Sequence, residues 1–349
     1  MSHLTTFFSR IALLVTAMVL VAVPGIAQTQ ASCTFKIFQL AADPTNPTLN
    51  EAFGVNDYGT VVGQATFPYP APPFDGFIRY SNGGVKYYLA PNSFSTLFRG
   101  RNDGGVSVGT YSTQGTANVA KGFVLSGSTF TSFVHPKSVL GTTLTGINKF
   151  NSIVGWYLDA SENAHGFKRY SNGGLTSINY PGAQATYANA INDTGAIVGS
   201  YTASNGTLHG FIYHGNQWAT LDFPNTTGTE LFGISNAGVI LGLDHSLEQG
   251  RAFMYIGGGF KTIAVPGAFS TQANGIAPGG LLIRNDQPNR RPSRVAWVYC
   301  QLPLRTTPCF ENRPVLSRFG KELNSLLCPE CLAATLSSIP YLLLMQTPA

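Results

Sequence analysis

Three sets of residues have the types and spacings that chemistry requires. Residues 105–109 read GVSVG, the G-x-S-x-G pattern that places a hydrolase serine, here Ser107, on a strained turn between a strand and a helix. His165 and His209 carry imidazoles of the kind that ligate zinc. Carboxylates that would suit repeated metal sites recur in similar local sequences, at Asp57, Asp103 and Asp193. Each interpretation depends on the elements that position these side chains.

Those elements belong to a repeat. Residues 54–63, GVNDYGTVVG, return as AINDTGAIVG at 190–199, with looser copies at 100–109, 146–155 and 233–242. A Gly-Phe block and a strand-like run that ends near proline follow each copy in the same phase. The glycines that close the copies step by 46, 46, 44 and 43 residues: Gly63, Gly109, Gly155, Gly199 and Gly242. Chance does not keep three blocks in phase over five units.

Comparison of the repeats removes most of the candidate chemistry. Ser107 aligns with aliphatic residues of the other units, which places it inside a strand and not on an elbow. Lys149 stands where other units have aspartate, and a cation would not bind there, so the aspartates are predicted to form turns. The histidine position is filled elsewhere by Asp75, Lys121 and Arg251, which favours a polar strand entry over a zinc site. No catalytic residue, metal ligand or cofactor is predicted.

Each unit of about 44 residues contains four predicted strands. Asn-Asp-x-Gly and Ser-Asn-Gly-Gly segments predict hairpin turns, because Asn, Asp and Gly tolerate left-handed backbone. The second strand is a short apolar run without alternation, which is typical of a strand covered on both faces. A four-stranded unit stacked on copies of itself is the signature of a β-propeller blade. A β-solenoid is the alternative, although its coils are usually shorter.

The two ends of the array predict how the ring closes. Three strand-like segments follow the fifth unit, and residues 33–40 precede the first unit where the missing fourth strand would fall. The sum is 24 strands, so we expect an all-β, six-bladed β-propeller closed by its N-terminal strand. Cys300 ends one of these strands and Cys33 begins its neighbour, so a disulfide between them is predicted.

The repeats resemble the HAF repeat of secreted bacterial proteins, which is named for a His-Ala-Phe or His-Gly-Phe signature and often accompanied by Gly-Ile-Asn-Asp-x-Gly. Residues 165–167 and 209–211 read HGF, and residues 192–195 read NDTG. The resemblance covers about residues 50–300. It implies an exported repeat protein and no particular reaction, and the loss of His in other units means that no His chemistry is carried over.

The ends of the chain differ from the repeats. Arg10 precedes an apolar run at residues 11–23, too short for a membrane span of about 20 residues, so residues 1–27 are predicted to be a signal peptide. The propeller domain is then 28–300, in a secreted or cell-envelope bacterial protein without a stable membrane span. Residues 301–349 contain one glycine and no repeat, and are predicted to be a poorly ordered tail. Its three thiols fall short of a four-ligand zinc site: Cys309, Cys328 and Cys331.

Aromatic side chains outside the repeat core are the candidates for binding. Four of them lie just beyond the recurring glycine, at a strand end where a rim or channel mouth would expose rings to sugars; packing between blades is the alternative. Two more belong to a proline-stiffened loop private to the first unit, and private loops often carry function. The predicted ligand-binding set is Tyr69, Phe74, Tyr111, Trp156, Tyr157 and Tyr201.

The composition narrows the function. Only 11% of residues are charged, against about 25% in an average domain, and a formal charge of +5 without a dense basic stripe argues against nucleic acid as a partner. We predict a non-catalytic binding or scaffold protein, whose partner is an extracellular polysaccharide or protein. The alternatives are a secreted carbohydrate-active hydrolase or lyase, which would need two convergent carboxylates, and adhesion through stacked rings.

Overall fold

The computed structural model describes residues 34–37, 50–66, 74–113, 119–246, 250–264, 270–277, 282–287 and 296–299. Regular structure in these ranges consists of 24 β-strands. Every described residue belongs to one compact unit of the chain. The predicted signal peptide, the predicted tail, Tyr69, Cys33 and Cys300 lie outside the described residues. Within them, no helix is long and apolar enough to cross a membrane.

The strands form small antiparallel sheets in the arrangement of a β-propeller. The N-terminal strand is β1 (Thr34–Ile37). The first blade contains β2 (Asn50–Val55), β3 (Val61–Thr66), β4 (Phe74–Arg79) and β5 (Val85–Tyr88). The second contains β6 (Ser93–Arg101), β7 (Ser107–Thr113), β8 (Lys121–Ser126) and β9 (Thr129–Phe133). The third contains β10 (Gly141–Ile147), β11 (Ile153–Leu158), β12 (Ala164–Arg169) and β13 (Leu175–Ser177).

The next two blades repeat this order. The fourth contains β14 (Ala185–Ile191), β15 (Ile197–Thr202), β16 (Leu208–His214) and β17 (Gln217–Thr220). The fifth contains β18 (Thr229–Ile234), β19 (Ile240–Asp244), β20 (Arg251–Ile256) and β21 (Gly259–Thr262). The last strands are β22 (Ser270–Ile276), β23 (Leu282–Gln287) and β24 (Ala296–Tyr299).

The predicted number of blades is wrong. Five blades are four-stranded, and the other four strands pair two by two, as β22 with β23 and β1 with β24. The six-bladed prediction required these four strands to form one ladder, whereas the described residues give two separate ladders. The N-terminal strand does pair with the last strand, and Thr34 lies opposite Tyr299. The propeller class itself is confirmed.

The first strand of each blade, and β22, carries a register shift at the same place. The residue that bulges out of each ladder is called a channel residue below: Phe53, Arg99, Thr145, Asn189, Phe232 and Asn274. A glycine follows it in five of the six strands. A Cβ on Gly54 would lie 2.6 Å from the carbonyl oxygen of Arg99, and one on Gly275 would lie 2.5 Å from that of Phe53. These six inner strands therefore meet backbone to backbone around a central channel.

The core lies between the sheets, and one phenylalanine per blade is its centre. The Phe of each Gly-Phe block is fully buried, as the repeat alignment predicts: Phe77, Phe123, Phe167, Phe211 and Phe253. The recurring glycine of the second strand makes room for that ring, since a Cβ on Gly63 would lie 2.7 Å from the ring of Phe77. Repeat-equivalent glycines are thus needed for packing as well as for turns.

A ladder of buried amide side chains joins the blades. The Nδ2 atoms of Asn56, Asn102 and Asn148 donate to the main-chain carbonyls of Asn102, Asn148 and Asn192, at 3.3, 3.0 and 3.1 Å. Asn192 donates in turn to the carbonyl of Ser235 at 3.0 Å. The Oδ1 atom of each Asn accepts the N–H four residues ahead in its own turn. One side chain therefore closes a hairpin and fastens the next blade.

Removal of one member tests this ladder. We expect Asn148→Ala to lower the free energy of unfolding by about 2 to 3 kcal/mol, because it leaves the Ser152 N–H and the Asn192 carbonyl without partners in a buried place. Asn172→Ala is the matched control, since its Oδ1 accepts only an exposed N–H, at 3.0 Å from Gly174. That change should cost less than about 1 kcal/mol. Equal losses in urea unfolding of the two variants would contradict a special role of the ladder.

Candidate functional site

The two ends of the ring differ in what they carry. Because neighbouring strands are antiparallel, the Asn-Asp-x-Gly and Ser-Asn-Gly-Gly turns lie at one end, called the turn face. The loops between second and third strands, such as 159–163, lie at the other end with the linkers between blades, such as 178–184. We call this end the loop face.

The sequence candidates for metal and nucleophile chemistry have other partners. Asp103 Oδ1 accepts the N–H of Asp57 at 2.9 Å, and Asp193 accepts the N–H of Lys149 at the same distance. The turn interpretation therefore holds, and these carboxylates also link neighbouring blades. Ser107 lies in strand β7, as predicted, and its Oγ accepts a hydrogen bond from Arg101 Nη1 at 2.7 Å.

In the third blade, a histidine of the repeat signature completes a stack of rings. Tyr157 lies between His135, with ring centroids 4.0 Å apart, and His165, at 5.1 Å. His165 Nε2 is 2.9 Å from Asp159 Oδ2. Burial lowers the pKa of His135, with smaller contributions from Lys137 and His165, so this end of the stack favours the neutral imidazole.

The fourth blade repeats the stack with different residues. Tyr201 lies between Tyr180, with centroids 3.6 Å apart, and His209, at 5.1 Å. His209 Nδ1 is 2.8 Å from Asp222 Oδ2. In both blades the tyrosine is buried and rings cover its two faces, so a sugar would have to displace a neighbour in order to stack there. The assignment of Tyr157 and Tyr201 to ligand binding stays a prediction.

Tyr111 and Trp156 are less enclosed than the two stacked tyrosines. Tyr111 is half-buried, and its hydroxyl donates to Ser132 Oγ at 2.9 Å. Trp156 is half-buried and packs edge-to-face on Tyr187, with centroids 5.4 Å apart. Tyr187 belongs to the inner strand β14, so this contact holds Trp156 against an inner strand. Phe74 is the first residue of β4.

Four carboxylates near the loop face, which a hydrolase would have to use, have basic partners on their own blade. Asp159 and Asp222 are paired with the signature histidines described above. Glu230 Oε2 is 3.4 Å from His245 Nε2, and hydrogen bonding to Glu230 raises the pKa of His245. The carboxylate of Asp244 is fully buried and paired with Arg251. The guanidinium of Arg251 lies 4.6 Å from the ring of Phe223, where the other blades have their ring stacks. Glu248 lies outside the described residues.

One arrangement was missed in the sequence. Thr207 Oγ1 is 2.7 Å from His209 Nε2, and His209 Nδ1 contacts Asp222, which is the order of groups that activates a hydroxyl nucleophile. However, the hydroxyl and the N–H of Thr207 both donate to Asn205 Oδ1, at 2.7 and 3.0 Å. That pattern is an Asx turn, which uses the hydroxyl proton a nucleophile would pass to histidine. The chain of groups is therefore structural.

The channel contains an open cavity of about 70 Å³ in the described part of the chain. All channel residues except Asn274 line it, together with the glycines that follow them. Burial lowers the pKa of Arg99, although Glu51 and Glu230 oppose that effect by their charge. Burial and the charge of Glu230 raise the pKa of Tyr187. Glu51 and Glu230 are thus close enough to Arg99 for their charges to act on it, and the charge of Glu230 also acts on Tyr187.

Comparisons with known proteins give structural likeness only. No protein-family model and no curated protein matches the chain. A fungal lectin of Aleuria aurantia, described as a six-bladed β-propeller that recognises fucose, is 12% identical over 72% of this chain and 91% of its own, with a TM-score of 0.44. SapL1 lectin, solved with α-methyl fucoside, is 14% identical over 74% and 97%, with a TM-score of 0.47. A putative gluconolactonase is 11% identical over 78% and 93%, with a TM-score of 0.45. No ligand or activity is inferred from these likenesses.

Asp244, near the loop face, makes the stability of the protein depend on pH. Burial alone would raise its pKa, but hydrogen bonds from Thr226, Ser246 and Arg251 outweigh burial and lower the pKa from 3.8 to about 2. A depressed carboxyl pKa stabilises the fold above the unfolded value and loses that contribution as pH falls through the folded value. We therefore expect the protein to lose about 2 kcal/mol through Asp244 between pH 5 and pH 1.

Urea unfolding at pH 6 and pH 2 measures this effect. The variant Asp244→Asn should be less stable than the parent at pH 6 and should approach it at pH 2, where about half of the folded carboxyl and nearly all of the unfolded carboxyl is protonated. Asp103→Asn is the control, because its carboxylate is on the exposed turn face. An undiminished difference between Asp244→Asn and the parent at pH 2 would rule out this linkage.

Proposed function

We propose that this chain is an exported, non-catalytic binding protein of the HAF-repeat type, and that its ligand is an extracellular glycan met at the loop-face mouth of the channel. The observation that carries the proposal is the contrast between the two groups of polar side chains on this face. The acids of the outer loops are held in pairs with bases, whereas the channel keeps an open cavity with polar and aromatic walls. Concave sites with a few convergent polar groups are typical of ligand binding.

The ion pairs favour binding over glycoside hydrolysis. A hydrolase of the usual kind needs one carboxylic acid and one carboxylate on either side of the scissile bond, about 5 to 10 Å apart. Asp159 and Asp222 each contact a histidine of their own blade, at 2.9 and 2.8 Å. Hydrogen bonding to His165 lowers the pKa of Asp159, which opposes the protonated form a general acid needs.

Trp156 and Tyr187 are the side chains that we expect a sugar to contact. Their edge-to-face contact fixes Trp156 against an inner strand, and Trp156 remains partly exposed. A rigid, half-buried indole offers a sugar ring a large apolar surface at little entropic cost. Arg99 and Glu230, from other inner strands, supply hydrogen-bonding groups of opposite charge near the same mouth.

Thermal unfolding of the mature chain, residues 28–349, with a panel of cell-wall and plant polysaccharides tests the proposal. A ligand at 100 times its dissociation constant should add about 2.7 kcal/mol and raise the midpoint. Trp156→Ala should weaken that binding about tenfold or more. The control is Tyr170→Ala, because Tyr170 is an exposed ring on the turn face, with 39% of its surface accessible.

The outcomes separate the alternatives. A midpoint raised by one polysaccharide, with no new reducing ends after incubation, supports the binding role. Release of shorter products would replace it with the hydrolase or lyase. If no polysaccharide changes the midpoint, a glycan is excluded as the ligand, and the remaining alternatives are a protein partner and adhesion through stacked propellers.

Export also bears on the cysteines at the ring closure, and we propose that Cys33 and Cys300 form a disulfide. The support is the pairing of β1 with β24, whose register, with Thr34 opposite Tyr299, pairs positions 33 and 300 when extended by one residue. Peptide mapping of the oxidised protein should find the linked peptides. Cys33→Ser should lower stability by about 4 to 5 kcal/mol, whereas Cys328→Ser should not. Free thiols at both positions in protein purified from an oxidising compartment would disprove the link.

A further inference from the structure

The six channel residues occupy equivalent positions but do not have equivalent bonds. Thr145 Oγ1 donates to the carbonyl of Ala188 at 2.6 Å, and Asn189 Nδ2 donates to that of Leu231 at 2.9 Å. Asn274 Nδ2 donates to the carbonyl of Ala52 at 3.1 Å. Three of the six thus use their donors on the next sheet of the ring, and two others, Phe53 and Phe232, have no donors. Arg99 is the sixth.

Arg99 lacks the partners that a buried guanidinium normally has. Its Nε atom is buried and has no hydrogen-bond acceptor. Within the described part of the chain it makes no ion pair: Glu230 is paired with His245, and Glu51 is exposed. One face of the guanidinium lies over the ring of Phe53, 4.9 Å from its centroid. The Nε atom of the neighbouring Arg101 is likewise buried without an acceptor, but Arg101 has one hydrogen bond, from its Nη1 to Ser107.

An unpaired cation in this place is costly for folding. Taking part of a guanidinium out of water without a hydrogen-bonded anion is costly, whereas Thr145, Asn189 and Asn274 at the same position each donate to a carbonyl of the ring. Arg99 is therefore the one channel residue whose type is not explained by the contacts of the ring. An anion from outside the chain would supply what the side chain lacks.

The cavity has room for a small anionic group beside Arg99. Its volume of about 70 Å³ exceeds what a single ordered water needs, so a carboxylate or sulfate group fits there. The planar fork of arginine donates two parallel hydrogen bonds to such a group. The remainder of the ligand would then lie outside the cavity, beside Trp156 and Tyr187.

We propose that Arg99 is the anchor of an oxyanion site in the channel, and that it binds the carboxylate or sulfate group of an acidic glycan. This inference rests on the proposed glycan-binding function and adds the class of glycan. Thr145 and Asn189 position the walls and keep their donors on the ring, so the specificity for negative charge comes from Arg99. Glu51, at the mouth, acts against it.

The test uses the mature chain and compares ions at matched ionic strength. Sodium sulfate should raise the thermal midpoint more than sodium chloride does, and oligogalacturonate should bind whereas neutral galactose oligomers bind at least tenfold more weakly. Arg99→Met should weaken both sulfate and oligogalacturonate by about 10- to 100-fold. Glu51→Gln should strengthen both, because it removes a like charge. Arg169→Met is the matched control, since Arg169 lies outside the channel and contacts Phe133.

A structural role for Arg99 predicts different results. If Arg99 only supports the fold, Arg99→Met lowers the midpoint without ligand and Glu51→Gln has no effect on sulfate binding. Arg99→Lys keeps the charge and covers the case in which Arg99→Met does not fold: it should retain sulfate binding at reduced affinity. Equal effects of sulfate and chloride on the parent would overturn the oxyanion site.

The same data separate this inference from the proposed function. If neutral and acidic polysaccharides bind equally well, and Arg99→Met does not weaken their binding, the glycan-binding function stands and the oxyanion site is wrong. Sulfate binding that depends on Arg99, with no polysaccharide binding, would leave the site and remove the glycan.

Discussion

The approach of six inner strands, backbone against backbone, is the constraint on which the rest of this structure depends. A side chain at Gly54 or Gly275 would strike the carbonyl of the neighbouring strand, so glycine at these positions sets the radius of the ring. The small radius brings each Asn of the ladder within reach of the next blade. It also narrows the channel, so that the bulged residues of five inner strands line one cavity. The close approach of the inner strands thus determines both how the blades pack and which side chains line the channel.

The loop face uses its charged residues mainly for structure. The signature histidines each end a stack of rings and contact an aspartate, and Arg251 takes the same place over Phe223 with Asp244 as its partner. Histidine and arginine both suit this position, because each covers the face of an aromatic ring and also reaches a carboxylate. This explains how the repeat tolerates His and Arg at one position, and why recurrence alone does not mark a reactive residue.

Much of the fold follows from the sequence, because repeat phase is a strong signal. The strand positions, the buried Phe77 and its equivalents, the turn role of Asp57 and the strand position of Ser107 were all predictable. The ladder was not, since a turn-forming Asn gives no sign of the carbonyl that the next blade presents to it. Arg99 was missed because its direction depends on a register shift, and one residue of shift changes which way a side chain points. The prediction of six four-stranded blades was wrong at the ring closure, where strands from the two ends of the chain must pair.

The asparagine ladder runs from the first blade to the fifth and ends at Ser235. Ser235 holds its own turn through Oγ, at 3.1 Å from the Val239 N–H, but its hydroxyl is too short to continue as Asn does, and the equivalent residue of the sixth sheet is Ala277. The ladder therefore does not cross the boundary between the fifth blade and β22, where apolar side chains such as Leu241, Ala273 and Ile276 pack together. Among the described residues, the ladder joins the five four-stranded blades in series, and the sheet of β22 is held to the fifth blade by apolar packing.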